Sequence, residues 1–272
     1  MRKHLTGILL VIMLFAGAGL LVYPTFANWW NNNKATNIIA DYDKAISHTD
    51  ESEINKMWED AIAYNKAISG NPLLTSEETK AWYERCLNAT GTGIIGYIEI
   101  PGIRVSLPIY HGTGESILQT AIGHVEWSSL PTGTDGSHVI ISGHRGLPSA
   151  RLFTDIDQLA VGDEFSLEVL NKEFTYEVDN ISIVLPYELS ELKIEPGYDY
   201  CTLVTCTPYG VNTHRLLVRG HRVDTGNKNK LRVSAEARTI RPVIVAPFVA
   251  LPMLLVLAIL LFIDKGRRRN YD

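Results

Sequence analysis

Three side chains in this sequence have the types and settings that nucleophilic chemistry on a carbonyl needs. Cys206 closes the apolar run Leu203-Val204-Thr205 and is followed by Thr207-Pro208-Tyr209-Gly210, so it stands where a strand stops and a turn begins. A thiol there sits at a sheet rim, although a strand-end cysteine taken alone is as readily a packed residue. His144 ends the run Val139 to Ser142 within Ser142-Gly143-His144-Arg145-Gly146, where flanking glycines let the backbone approach closely while the imidazole projects. Imidazole is the usual base for a thiol. Arg215 lies on the strand returning from the Tyr209 to Thr213 turn, so a hairpin brings it back beside Cys206. An arginine there favours the thiolate and can stabilise a developing oxyanion. Alternation puts Leu216 and Val218 on one face and Arg215 and Arg219 on the other, leaving Arg219 and the neighbouring His214 as alternative partners. His111, His124, His138 and His221 lack the glycine-bounded strand-end setting, and no CxxC or HxxxH spacing points to a zinc site.

These residues need a scaffold of short strands. From Gly93 onward the sequence breaks into β-branched runs bounded by Gly, Pro and Asn: IIGYIEI, RVSLPIY, HVIISG, EFSLEVL, EFTYEV, ISIVL, YCTLVTC and HRLLVRG. Such density without alternating helices predicts a closed or nearly closed antiparallel barrel over 93–224, with a tight hairpin at Asn171-Lys172 and a short helical connection between Leu152 and Leu159. Residues 28–92 read as a helical extension. Asp50 and Glu53 are spaced as a capping box before Ile54, Met57, Trp58, Ala61, Ile62 and Asn65, Asn71-Pro72 breaks the chain, and a second helix begins at Thr75 and Glu78 with Trp82, Cys86 and Leu87 on its apolar side.

Two stretches predict membrane helices. Leu5 to Val22 and Val243 to Ile263 carry no formal charge and reach roughly 27 Å and roughly 31 Å as helices, near the hydrocarbon thickness of a bilayer. Arg2 and Lys3 before the first, and Lys265, Arg267, Arg268 and Arg269 after the second, put both termini in the cytoplasm and the intervening residues outside. Thr25-Phe26-Ala27 leaves open removal of the first segment as a signal peptide. The predicted sections are 1–27 (tip and first transmembrane helix), 28–92, 93–224, a linker 225–242, a second transmembrane helix 243–264 and a basic tail 265–272.

With the terminal flanks removed, 19 basic and 28 acidic residues remain, a balance near −9 that argues against nucleic-acid or anionic-lipid surfaces. Cys201 and Cys206 are five residues apart along one strand, roughly 16 Å and on opposite faces. That exceeds the reach of a disulfide, so an exported chain keeps free thiols.

The segments TLVTCTPYGVNTHRLLVRG, SGHRGLPSARLFTDIDQL and GYIEIPGIRVSLPIYHGT closely resemble the sortases, in particular the class C, pilin-polymerising sortases of Gram-positive bacteria. The resemblance covers about residues 60–224 and the two-span layout. It implies a mainly β fold, an eight-stranded sortase-type β-barrel with N-terminal α-helices and two transmembrane helices, and no cofactor. It also implies a catalytic Cys206, His144 and Arg215. The implied activity is cleavage of an LPxTG-like sorting signal at Thr-Gly through a thioester and transfer to a lysine amine of a pilin subunit. A membrane-anchored cysteine hydrolase and a non-catalytic surface scaffold are the alternatives. Class C enzymes usually carry a lid with an Asp-Pro-aromatic motif. No Asp-Pro occurs here, Asn71-Pro72-Leu73 being nearest, so a less occluded cleft is expected, unless a residue such as Trp82 plugs it.

Overall fold

The computed structural model describes residues 2–69 and 76–224. The expected linker 225–242, second span 243–264 and basic tail 265–272 lie outside the described residues, as do the Asn71-Pro72 break and Leu73. The chain divides into two units, one holding residues up to Trp29 and the other the described residues from Trp30 onward.

Helix α1 (Arg2–His48) is the one helix among the described residues that is long and apolar enough to cross a membrane, by length and composition. In the first unit its Ile12, Met13, Phe15, Leu20 and Leu21 are half exposed or more, where a core helix would bury them.

The second unit begins with the rest of α1, followed by α2 (Glu51–Ser69) and α3 (Glu77–Arg85). The amides of Glu53 and Ile54 donate to Asp50 O at 3.0 Å, and Ile54, Trp58, Ala61, Asn65 and Ile68 form the buried stripe. Met57 is only half-buried and Ile62 faces solvent, so the apolar face is narrower than the sequence suggests. The start of α3 is fixed by Ser76, whose Oγ accepts from Thr79 N at 3.2 Å; Thr75 lies outside the described residues. Trp82, the suggested plug, is held between these helices by Asp60 Oδ1 at 2.8 Å and an edge-on contact with Tyr64.

Eight strands among the described residues close into a barrel: β1 (Ile94–Ile100), β2 (Val105–His111), β3 (Ile122–His124), β4 (Ser137–Ser142), β5 (Glu164–Val169), β6 (Lys172–Val184), β7 (Asp199–Thr207) and β8 (His214–Arg222). Their order is β1-β2-β3-β4-β7-β8-β6-β5, with β5 returning to β1. The number agrees with the sequence reading, but two differences cancel in it. The runs EFTYEV and ISIVL are one strand, β6, with a register shift between Val178 and Asn180, whereas the three-residue β3 carries too little sequence to stand out. The barrel is also mixed rather than antiparallel, since β2–β3 and β4–β7 pair in parallel. Parallel neighbours need crossovers, supplied by the segment containing α4 (Glu115–Leu118) and by the β5–β6 excursion. The connection between Leu152 and Leu159 contains a short 3-10 turn, Ile156–Gln158.

The β5–β6 hairpin pairs Val169 with Lys172, so its turn residues are Leu170 and Asn171, one position earlier than expected. Leucine occupies a left-handed position (φ 49°) because tertiary contacts hold it. Its amide donates to Tyr42 Oη at 2.8 Å, and its side chain is buried. Tyr42 in turn donates to Ile95 O, Trp58 Nε1 donates to Asn171 Oδ1, and Asn65 exchanges two bonds with the Leu130 main chain. Extension and barrel therefore share one core: Tyr42, Ile54, Trp58 and Tyr83 cluster with Ile98, Ile109, Phe165, Leu203 and Val218.

Buried titratable groups in this unit make its stability depend on pH. Burial pushes the His124 imidazole down from 6.5 to about 4, with Nε2 near Ser129 O and Nδ1 near Tyr83 Oη. Between those values the unfolded chain binds a proton that the folded one refuses, which removes stability as pH falls, on the order of 3 kcal/mol for this group. Burial likewise lowers His111 and His138. Asp199 opposes them: burial raises it from 3.8 to about 6, against the hydrogen bonds donated by Ser137 and Tyr176. Its contribution is fully present below 3.8 and is lost as pH rises through 6. Asp199→Asn removes the opposing group, so the drop in Tm between pH 7 and pH 4.5 should be larger in the variant than in the wild-type protein; an equal or smaller drop would contradict this assignment.

Candidate active site

The site is set by strand register. β7 and β8 are antiparallel with Cys206 directly opposite Arg215, so the two side chains leave the sheet on the same face. On the other side of β7, parallel β4 pairs Ser142 with Val204. The contact continues past the ladder, because Gly143 N donates to Val204 O at 3.1 Å and Thr205 Oγ1 donates to Gly143 O at 2.7 Å. His144 follows directly after this last contact, on the side of β7 opposite β8. Glycine is required at 143, since a Cβ there would lie 2.7 Å from the Phe153 ring and 2.8 Å from Ile122. The Phe153 amide donates to His144 O at 3.1 Å and fixes the turn.

Parity decides the face. Cys201, Leu203, Leu216 and Val218 point into the barrel core, whereas Ile140, Val204 and Leu217 form a separate cluster on the outer face with Val184 and Leu192. Cys206, Arg215 and His144 share the parity of the outer set. Cys206 and His144 are half-buried. Cys201 and Cys86 are fully buried, and all three thiols are free. Burial pushes Cys86 up to about 12, with Asp60 adding to the rise, and raises Cys201 strongly, so neither is a ready thiolate.

The alternatives to Arg215 are otherwise engaged. Arg219 makes a two-pronged pair with Asp179, Nε to Oδ1 at 2.9 Å and Nη2 to Oδ2 at 3.1 Å, and its guanidinium lies 4.3 Å from the Tyr200 ring centre. His214 has the inward parity of Leu216, and its Nδ1 lies 2.9 Å from Thr213 Oγ1. Arg215 bonds the carbonyls of Asn212 and His214, and no acidic side chain lies within ion-pair distance of it among the described residues. Its charge is available to a ligand. Among those residues, too, no three His, Cys, Asp or Glu side chains are grouped to hold a metal ion.

A groove that sequence reasoning missed lies over the outer faces of β4, β7 and β8, lined by Ile140, Val204, Leu217, Trp127 and Leu189, and Arg215 is the one member of the trio that lines it. At about 150 Å³ it is smaller than the roughly 300 Å³ lower bound of ordinary small-molecule pockets. A signal for it was present. Val139-Ile140-Ile141, Leu203-Val204 and Leu216-Leu217 are apolar at consecutive positions, and a strand apolar on both faces must be covered on both.

Glu115 Oε2 lies 4.0 Å from His144 Nε2, with the carboxylate side chain 74% exposed. A contact so open to water is screened, so Glu115→Gln is expected to change the rate of Cys206 alkylation by iodoacetamide less than about twofold. A tenfold change would instead place Glu115 among the groups that set the thiol's reactivity.

Comparison with known proteins gives a consistent result. A family model described as "Sortase domain" matches residues 98–223. The structure is similar to sortase C1 from Streptococcus agalactiae, at 51% identity and TM-score 0.67, covering 69% of this chain and 98% of that one. It is also similar to Streptococcus pneumoniae sortase C, whose structure is described in terms of catalysis and pilin substrate specificity, at 40% identity and TM-score 0.60, covering 69% and 96%. Among curated proteins, sortase D of Bacillus subtilis is 31% identical over 131 residues, 47% of this chain, and the match spans 63% of that relative's length.

Proposed function

The chain belongs to the sortase family, and on that premise we propose that it is a membrane-anchored class C transpeptidase that joins pilin subunits. One observation carries the mechanism: Cys206 lies directly opposite Arg215 across the β7–β8 ladder, and Arg215 lines an apolar groove on the same outer face. A sorting signal of LPxTG type lies along the groove, with its Thr carbonyl at Cys206. The thiolate attacks that carbon, and the Arg215 guanidinium holds the oxygen as negative charge develops on it. His144 delivers a proton to the departing glycine amine, and a thioester remains on Sγ. An acceptor lysine of a second pilin subunit then loses a proton to His144 and attacks the thioester. The thiolate leaves, and an isopeptide bond links the subunits. Helix α1 anchors the enzyme in the cell membrane with the barrel outside, beside substrates still emerging from it. The pilin assignment rests on the likeness to class C enzymes.

Incubating the protein with an LPxTG-type peptide and a lysine-containing pilin peptide, followed by mass spectrometry, separates the readings. A new amide supports the transpeptidase, free acid alone would make the chain a hydrolase, and unchanged peptide would leave a scaffold.

A further inference from the structure

We propose that Arg145 is a positioning residue that locks the His144 turn to the end of the Cys206 strand; this rests on the catalytic roles proposed above. Arg145 follows His144 directly, and its Nη1 donates to Thr207 Oγ1 at 3.3 Å, on the residue directly after Cys206. Its Nη2 bonds Asp157 Oδ2, in the 3-10 turn Ile156–Gln158. The side chain is only 11% exposed, and its guanidinium carbon lies 5.9 Å from the Tyr209 ring centre. The same ring abuts Gly146, where φ is +79° and a Cβ would approach it to 3.1 Å. One planar fork therefore spans three segments: the turn carrying His144, the strand end carrying Cys206, and the connection before β5.

Although Asp157 is 40% exposed, the guanidinium itself is largely buried and is divided between a hydroxyl on one element and a carboxylate on another. No acid–base role follows for Arg145 itself, because a guanidinium stays charged. Its effect is on distance. The imidazole and thiolate sit on two strand ends joined by few main-chain bonds, and a shift of about 1 Å between them costs roughly 100-fold in rate.

The test compares Arg145→Ala, Arg145→Lys, Asp157→Asn and the Ala/Asn double variant in the full-length protein in detergent, using sorting-signal peptide and amine. The proposal expects Arg145→Ala to lower kcat about 10- to 100-fold with KM within about twofold, since register between reacting groups is lost while the groove is kept. Arg145→Lys should recover part of that loss. Asp157→Asn should lose less, and the double variant should be no worse than Arg145→Ala. A merely structural role would lower Tm and raise KM without this split. The proposal is overturned if kcat stays within twofold of wild type in Arg145→Ala, or if the loss appears in KM alone. Should Arg145→Ala fail to fold, unchanged kcat in both Arg145→Lys and Asp157→Asn overturns it. Cys206→Ala and His144→Ala run alongside: if either still turns over, the proposed catalytic roles fail, whatever Arg145 does.

Discussion

Cys206→Ala is expected to reduce both sorting-signal cleavage and amide formation to background, a loss of at least about 1,000-fold, while Tm stays near the wild-type value. The two halves of this expectation have separate causes. Activity disappears because no other thiol can reach the groove: Cys86 is sealed beside Asp60, and Cys201 points into the barrel. Stability is kept because Cys206 belongs to neither apolar cluster. Cys201→Ala should behave in the opposite way, retaining turnover while losing roughly 1–2 kcal/mol of stability from the small void left in the core. Activity assays and thermal melts on both variants check this, and the reverse pattern would move the nucleophile.

Arg215→Lys is expected to lower kcat by about 100-fold or more although the charge is kept. Arg215 lies directly opposite Cys206 on the β7–β8 ladder, and a planar fork can hold a substrate carbonyl and an oxyanion together. An ammonium offers one point of charge on a flexible stem. Arg219→Lys should instead spare kcat and lower Tm, because it gives up a two-pronged bond to Asp179 and a ring contact with Tyr200. Steady-state kinetics and melts on the two variants decide the matter. Equal kcat losses would remove the grounds for preferring Arg215.

The strand placement of these residues was legible in the sequence because strand ends and alternation are local properties. Cys206 before Thr207-Pro208, His144 between glycines and the return of Arg215 each follow from a few neighbouring residues. What escaped was set by contacts distant in the chain. β3 is three residues long and gains its identity only by lying between β2 and β4. The bulge between Val178 and Asn180 reads locally as a turn, yet β8 pairs along both sides of it. The left-handed Leu170 follows no turn preference and depends on Tyr42, far earlier in the chain. The parallel β4–β7 pair, which brings His144 beside Cys206, requires a crossover that no periodicity announces.

The most direct measurement is isolation of the covalent intermediate. The full-length protein would be mixed with an LPxTG-type peptide without amine acceptor, quenched in acid, digested and mapped by tandem mass spectrometry. The proposed mechanism gives a thioester on Cys206 that carries the peptide up to and including its threonine and disappears when a lysine amine is added. Product formation with the adduct on Cys201 or Cys86, or with no covalent adduct at any time, would contradict it.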